Sequence, residues 1–171
     1  MNELDEFWSE QLSTAIENAK VAGRQDVVDY LALKSARDAV RKAESERFFD
    51  AMIAMALKDD LRQHKIRVER EAPHNFQHRG ANLVGSLLRL RCGVRCMTVE
   101  AGWTRTPNDG FMRLGALAFA RITHFGIPKA NVELMLRASN EKGLWLMVRD
   151  DQINGEFENK MIGAQFDVLL G

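Results

Sequence analysis

For its first 64 residues the chain sets apolar side chains at helical spacing, and this commits its opening third to helix. Leu4, Trp8, Leu12, Ala15, Ile16 and Ala19 recur at three- and four-residue steps and share one face of a helix over residues 4–21. Asp5 and Glu6 in its first turn and Lys20 in its last complement the helix dipole, and Gly23 is placed to end it. Asp26 is read as the cap of a second helix. Its small residues Ser35, Ala39 and Ala43 allow another helix to approach closely, and its apolar tail over 48–57 demands burial. A continuous helix from Asp26 to residue 62 would run ~55 Å, so a break is expected near residues 43–46.

The remainder changes period. Residues 65–70 alternate polar and apolar like a short exposed strand, and Pro73, Asn75 and Gly80 mark a loop. Met97, Val99, Ala101 and Trp103 alternate with Thr98, Glu100 and Thr104, which makes 94–105 the clearest strand. Residues 82–92 fit two patterns. As a helix, Asn82 caps it, Leu83, Leu87 and Leu90 align, and Gly93 ends it. As a strand, a tight turn at Gly93-Val94 sets Leu90 opposite Met97 and Leu88 opposite Val99. The helix is preferred by a narrow margin. After the turn residues 106–110, Asp109 is placed to cap a helix bearing Phe111, Leu114, Ala118, Ile122 and Phe125 on one face, with Gly126 and Pro128 closing it. Residues 131–138 and 144–150 read as a hairpin, and 161–170 as an apolar closing element of either kind.

The expected class is therefore α+β: an N-terminal helical hairpin packed on, or extending from, a small mixed sheet with a crossover helix. The expected division is a helical region over 1–64 and an α+β domain over 65–171, or the two as one cooperative unit.

Composition narrows the function classes. Hydrophobic residues make up 46% and charged residues 28%, ordinary globular values that argue against a disordered chain. The most apolar run, 48–57, is too short and too charged to span a bilayer, and the acidic start resembles no secretory or mitochondrial leader. With two cysteines and no disulfide framework, a cytoplasmic location, without membrane attachment, is expected. The net charge of zero hides a partition: residues 1–64 carry 9 Lys/Arg against 13 Asp/Glu, residues 65–137 carry 12 against 5, and residues 138–171 carry 3 against 6. Either the basic middle is a face for an anion, or the acidic helices pack over it and neutralise it.

Three constellations have chemical content. His74, His78, Cys92 and Cys96 supply imidazole and thiol ligands in the number a tetrahedral zinc site needs, though not at its usual spacing; two loop histidines and two core-filling thiols explain them as well. Arg89, Arg91, Arg95, Arg105, Arg113 and Arg121, with Arg137 beyond, offer planar forks suited to phosphate or nucleic acid, with Trp103 and Phe111 among them. For acid–base chemistry the candidates are Glu100, whose pKa would rise in an apolar pocket beside Trp103 and Arg105, His124, and the pair Asp150-Asp151. The glycine-rich stretch 80–86 lacks the lysine of a phosphate loop. The leading expectation is a non-enzymatic binding or adaptor module that self-associates through its helices, with a homo-oligomer or protein partner. An anion or nucleic-acid binder using 65–137 is the alternative, and a small zinc-containing or acid–base enzyme the second alternative.

Overall fold

The computed structural model describes residues 3–140 and 142–171, and its element order is two helices, seven strands and a closing helix. Helix α1 spans Glu3–Val21 and α2 spans Gln25–Ala56. Gly23 ends the first with φ +66°, a value that costs glycine nothing. Because only three residues separate the helices, α2 begins before Asp26, which lies in its first turn rather than capping it.

The expected break near residues 43–46 is absent. Helix α2 runs unbroken for 32 residues, about 48 Å. Its two halves are held by different partners: the first packs antiparallel on α1, and the second buries Phe48, Phe49, Met52 and Ala56 against the sheet. The length is tolerated because the first half, with α1, projects beyond the sheet.

The sheet is a seven-stranded antiparallel meander in chain order: β1 Arg67–His78, β2 Ala81–Cys92, β3 Arg95–Trp103, β4 Ala118–His124, β5 Val132–Ser139, β6 Lys142–Arg149 and β7 Gln152–Glu156. Among the described residues every strand pair is antiparallel and no helix links two strands, so the expected mixed sheet with a crossover helix is corrected. Two misread elements account for this. Residues 82–92 form β2, with Leu90 opposite Met97 and Leu88 opposite Val99 about the turn at Gly93, the strand alternative above. Residues 109–125 are not a helix: Leu114 and Gly115 take positive φ, and β4 follows. In β4 the consecutive residues Ala118, Phe119 and Ala120 are all buried, so the strand opens on an unalternating apolar run that fits helical spacing as well. Asp109 is instead the last residue of a short 3₁₀ turn capped by Thr106, its carboxylate accepting from the Thr106 and Arg105 amides at 2.8 and 3.1 Å.

The expected loop at 73–80 belongs to β1, which continues past Pro73 through a register shift between Glu71 and His74. Proline is tolerated there because β1 is an edge strand. The closing element is helix α3, Asn159–Leu170, which buries Ile162, Phe166 and Leu169. Helices α2 and α3 cover one face of the sheet and build the main core with Leu88, Val99, Ile122 and Leu136. The other face carries a smaller cluster around Phe76, Leu83, Phe119 and Met135, capped by Met112 and Ala116 of the β3–β4 connection. Among the described residues no helix is long and apolar enough to cross a membrane.

Candidate functional site

The projecting hairpin presents two unlike faces. On the outer side of α1, exposed Leu4 and Phe7 (53% exposed) lie among Glu3, Glu6 and Glu10. Spacing of three and four residues sets Glu3, Phe7 and Glu10 in one stripe. On α2, Tyr30 (66% exposed), Leu33, Lys34 and Arg37 form one wall of an open groove whose other wall is the segment 104–111, with Pro107 and a Phe111 that is 90% exposed. The two sides of this groove come from elements 70 residues apart, joined where Arg41 donates to the Leu117 carbonyl at 2.6 Å and pairs with Asp38 at 2.5 Å. The groove is thus apolar and basic, and the α1 stripe apolar and acidic. The sequence showed both sets of charges, but the role of Phe111 was hidden by its assignment to the core face of a helix.

The outer face of the sheet holds most of the remaining candidates. Glu100 points there and not toward Trp103 and Arg105: residues three and five apart on an extended chain lie on the opposite face. Its carboxylate accepts from Arg121 Nε at 2.5 Å and meets His74 Nε2 at 2.7 Å. Burial alone would raise its pKa, but the hydrogen bonds from Arg121 and His74 outweigh burial and hold the carboxyl below the usual carboxylate range. The raised pKa wanted for acid–base work is therefore replaced by its opposite. His124 lies on the inner face, buried, with Nε2 against Gln165 Oε1 at 2.9 Å, and serves the packing of α3 on β4. Asp151 pairs with Arg79 and lies 3.9 Å from Arg113, while Asp150 borders a separate trough on β5 and β6.

The four metal candidates are not brought together. His74 and His78 share the outer face, but four residues apart on a strand is about 13 Å. His78 packs on Phe119 with ring centroids 4.5 Å apart, and burial pushes its pKa down. Cys92 and Cys96 fall on opposite faces, since Arg91, not Cys92, is the partner of Cys96. Both thiols are free, and Cys92 Sγ donates to the His64 carbonyl at 3.5 Å. Among the described residues no group of three His, Cys, Asp or Glu side chains could hold a metal ion.

Register sets Arg89, Arg91, Arg121 and Arg137 on the outer face. Carboxylates of that same face answer two of them: Glu69 meets Arg89 at 3.4 Å and Glu100 meets Arg121. Arg137 reaches the Leu114 carbonyl at 3.5 Å, and Arg91 is exposed at the end of β2. Arg95 donates to the Val168 carbonyl of α3 at 3.0 Å. From the helices, Asp5 pairs with Arg105 at 2.9 Å and Glu46 with Arg70 at 2.5 Å. Acids thus answer part of the basic middle from both sides: Arg79, Arg89, Arg113 and Arg121 meet acids of the sheet and its β6–β7 turn, and Arg70 and Arg105 meet acids of the helices.

No protein-family model matches the chain, no curated protein matches it in sequence, and no solved structure matches it.

Proposed function

We propose that the chain is a non-enzymatic binding module that self-associates through its helical hairpin, the acidic stripe of α1 in one copy seating in the basic groove of α2 and segment 104–111 in another. The observation that carries this reading is the match of two exposed faces on one molecule. Leu4 and Phe7 are interleaved with Glu3, Glu6 and Glu10 on one, and Tyr30, Leu33 and Phe111 with Lys34 and Arg37 on the other. Apolar surface of this kind on a projecting element gains free energy by burial, and opposite charges fix the orientation. In a two-fold pair each copy contributes both faces, so one match is made twice. A net charge of zero adds no long-range repulsion between copies.

Sedimentation equilibrium across the micromolar range tests it. The wild type is expected to dimerise, and Arg37→Glu or Glu10→Lys alone to weaken the dimer at least tenfold, because in a two-fold pair each substitution turns two favourable charge pairs into repulsive ones. An equimolar mixture of the two variants restores both pairings in the mixed dimer, native charges meeting at one match and exchanged charges at the other, and so regains dimerisation. A wild type that sediments as a monomer throughout, or an Arg37→Glu variant that dimerises as well as the wild type, rejects the proposal.

A further inference from the structure

The β2–β3 and β4–β5 turns lie together at one end of the sheet, where the Phe125 amide donates to the Cys96 carbonyl at 2.9 Å. Their tips are bare apolar side chains. Val94 is 97% and Phe125 84% exposed, and both line an open trough with Arg91, Arg95, Thr98 and Thr123. Ile127, in the same turn as Phe125, is exposed as well. Single exposed apolar residues are ordinary, but a projecting group of them marks a contact surface.

The charge at this end is one-sided. Residues 61–68, 90–99 and 122–132, which form it, hold Arg62, Lys65, Arg67, Arg91, Arg95 and Lys129 and no Asp or Glu. Arg62 pairs with Asp59 at 3.2 Å, and Arg95 donates to the Val168 carbonyl at 3.0 Å. Arg67 and Arg91 stand directly opposite each other on β1 and β2, both exposed, and among the described residues neither meets a carboxylate. Like charges facing each other across two strands repel, so this pair destabilises the end of the sheet unless an anion lies over it. Two residues along the same strands, Arg89 has Glu69 for a partner at 3.4 Å, so the missing acid is particular to this end.

We propose that this end of the sheet docks on the surface of an anionic phospholipid bilayer, with Arg67 and Arg91 among the headgroup phosphates and Val94 and Phe125 at the boundary of the acyl chains. The negative surface potential of such a bilayer complements the unpaired arginines. The mixture of tips selects it over nucleic acid: bases reward flat aromatic faces, which valine and isoleucine lack, whereas the acyl boundary accepts aliphatic and aromatic side chains alike. The sequence-based expectation of no membrane attachment rests on the want of a spanning run, and contact through two turn tips needs none. The inference is independent of self-association, since the trough shares no residue with the groove of α2 and segment 104–111.

Co-sedimentation with sucrose-loaded vesicles tests it. The chain is expected to pellet with phosphatidylcholine vesicles containing about one-third phosphatidylserine, to stay in solution with phosphatidylcholine alone, and to be released by high salt. Arg67→Ala combined with Arg91→Ala is expected to weaken binding about 30-fold, roughly fivefold for each cation. Phe125→Ser is expected to weaken it about tenfold, as for an aromatic side chain returned to water. All three side chains are exposed, and relief of the Arg67–Arg91 repulsion keeps the melting midpoint of the double variant at or above that of the wild type. Should either variant unfold, Arg91→Gln and Val94→Ser take their places. The inference is overturned if the anionic vesicles do not bind, if phosphatidylcholine alone binds as well, or if binding survives either the arginine or the tip substitutions. A single-stranded oligonucleotide that binds where the vesicles do not would assign the face to nucleic acid and overturn it equally.

Discussion

Replacing Arg121 by methionine tests whether the outer-face network is an ion pair that holds the sheet together. The Glu100 carboxylate is 12% exposed and takes hydrogen bonds from Arg121 at 2.5 Å and His74 at 2.7 Å. Stripping a buried carboxylate of its partner costs about 3–5 kcal/mol. Here His74 remains, and the Arg121 side chain is 34% exposed, so solvent screening reduces the figure to about 2 kcal/mol at neutral pH. At ~2–4 °C per kcal/mol for a chain of this size, the melting midpoint falls by about 4–8 °C. The pH dependence gives the sharper test. Glu100 is held below its ordinary value of 4.5 in the folded state, so the unfolded chain takes up the proton first on acidification. Its stabilising contribution is complete above 4.5 and drains away as the pH falls through the folded value. Arg121→Met removes most of that contribution, so its penalty is largest at neutral pH and shrinks on acidification. Urea melts of both proteins from neutral to about pH 3 measure the difference directly. A penalty that stays constant with pH would refute the reasoning and reduce Arg121 to its packing over the Phe76 ring, 5.6 Å away.

Two further outcomes follow from packing and burial. A Cβ added at Gly85 would lie 1.8 Å from the Ala101 carbonyl oxygen and 2.6 Å from the Gly102 Cα, so Gly85→Ala forces β2 and β3 apart. A loss above the ~1–3 kcal/mol of ordinary overpacking is expected; a melting midpoint within a few degrees of wild type would contradict the pairing of Gly85 with Gly102. His78 is kept neutral chiefly by burial, against the opposing field of Glu133, so its folded pKa lies below 6.5. The wild type therefore loses stability as the pH drops below 6.5, and His78→Gln flattens that part of the curve; unchanged slopes in urea melts of the two proteins over this interval would show that His78 does not couple to folding.

The residues explain which expectations held. Helix α1, the helical identity of 25–56, strand β3 and the β5–β6 hairpin were all legible because each is amphipathic: one face meets the core and the other meets water, so the period shows in the sequence. Strands β2 and β4 were misassigned because each buries consecutive residues, Leu87 and Leu88 in one and Ala118, Phe119 and Ala120 in the other, and such runs fit helical spacing as well as alternation. The break expected in α2 failed for a related reason. Periodicity reports which side of a helix is apolar, not which partner covers it, and here the partner changes from α1 to the sheet without any change in backbone.

The candidate residues divide along the same line. Parity alone, three and five residues on, put Trp103 and Arg105 on the face opposite Glu100, so that correction was already available in the chain. The pairing of His74 and Arg121 with Glu100 was not, because strand register joins residues 26 and 21 positions apart. The sequence by itself determined the α+β class, the two N-terminal helices with Gly23 ending the first, and the acidic helices followed by a basic middle. Only the tertiary structure decided that acids of both the sheet and the helices would answer part of this basic middle. It also decided that Phe111 would stand beside Tyr30 and Leu33 in the open. Composition and period are local properties of a chain, whereas neutralisation, cavities and exposed grooves are set by which distant segments the antiparallel register brings within a few ångströms of each other.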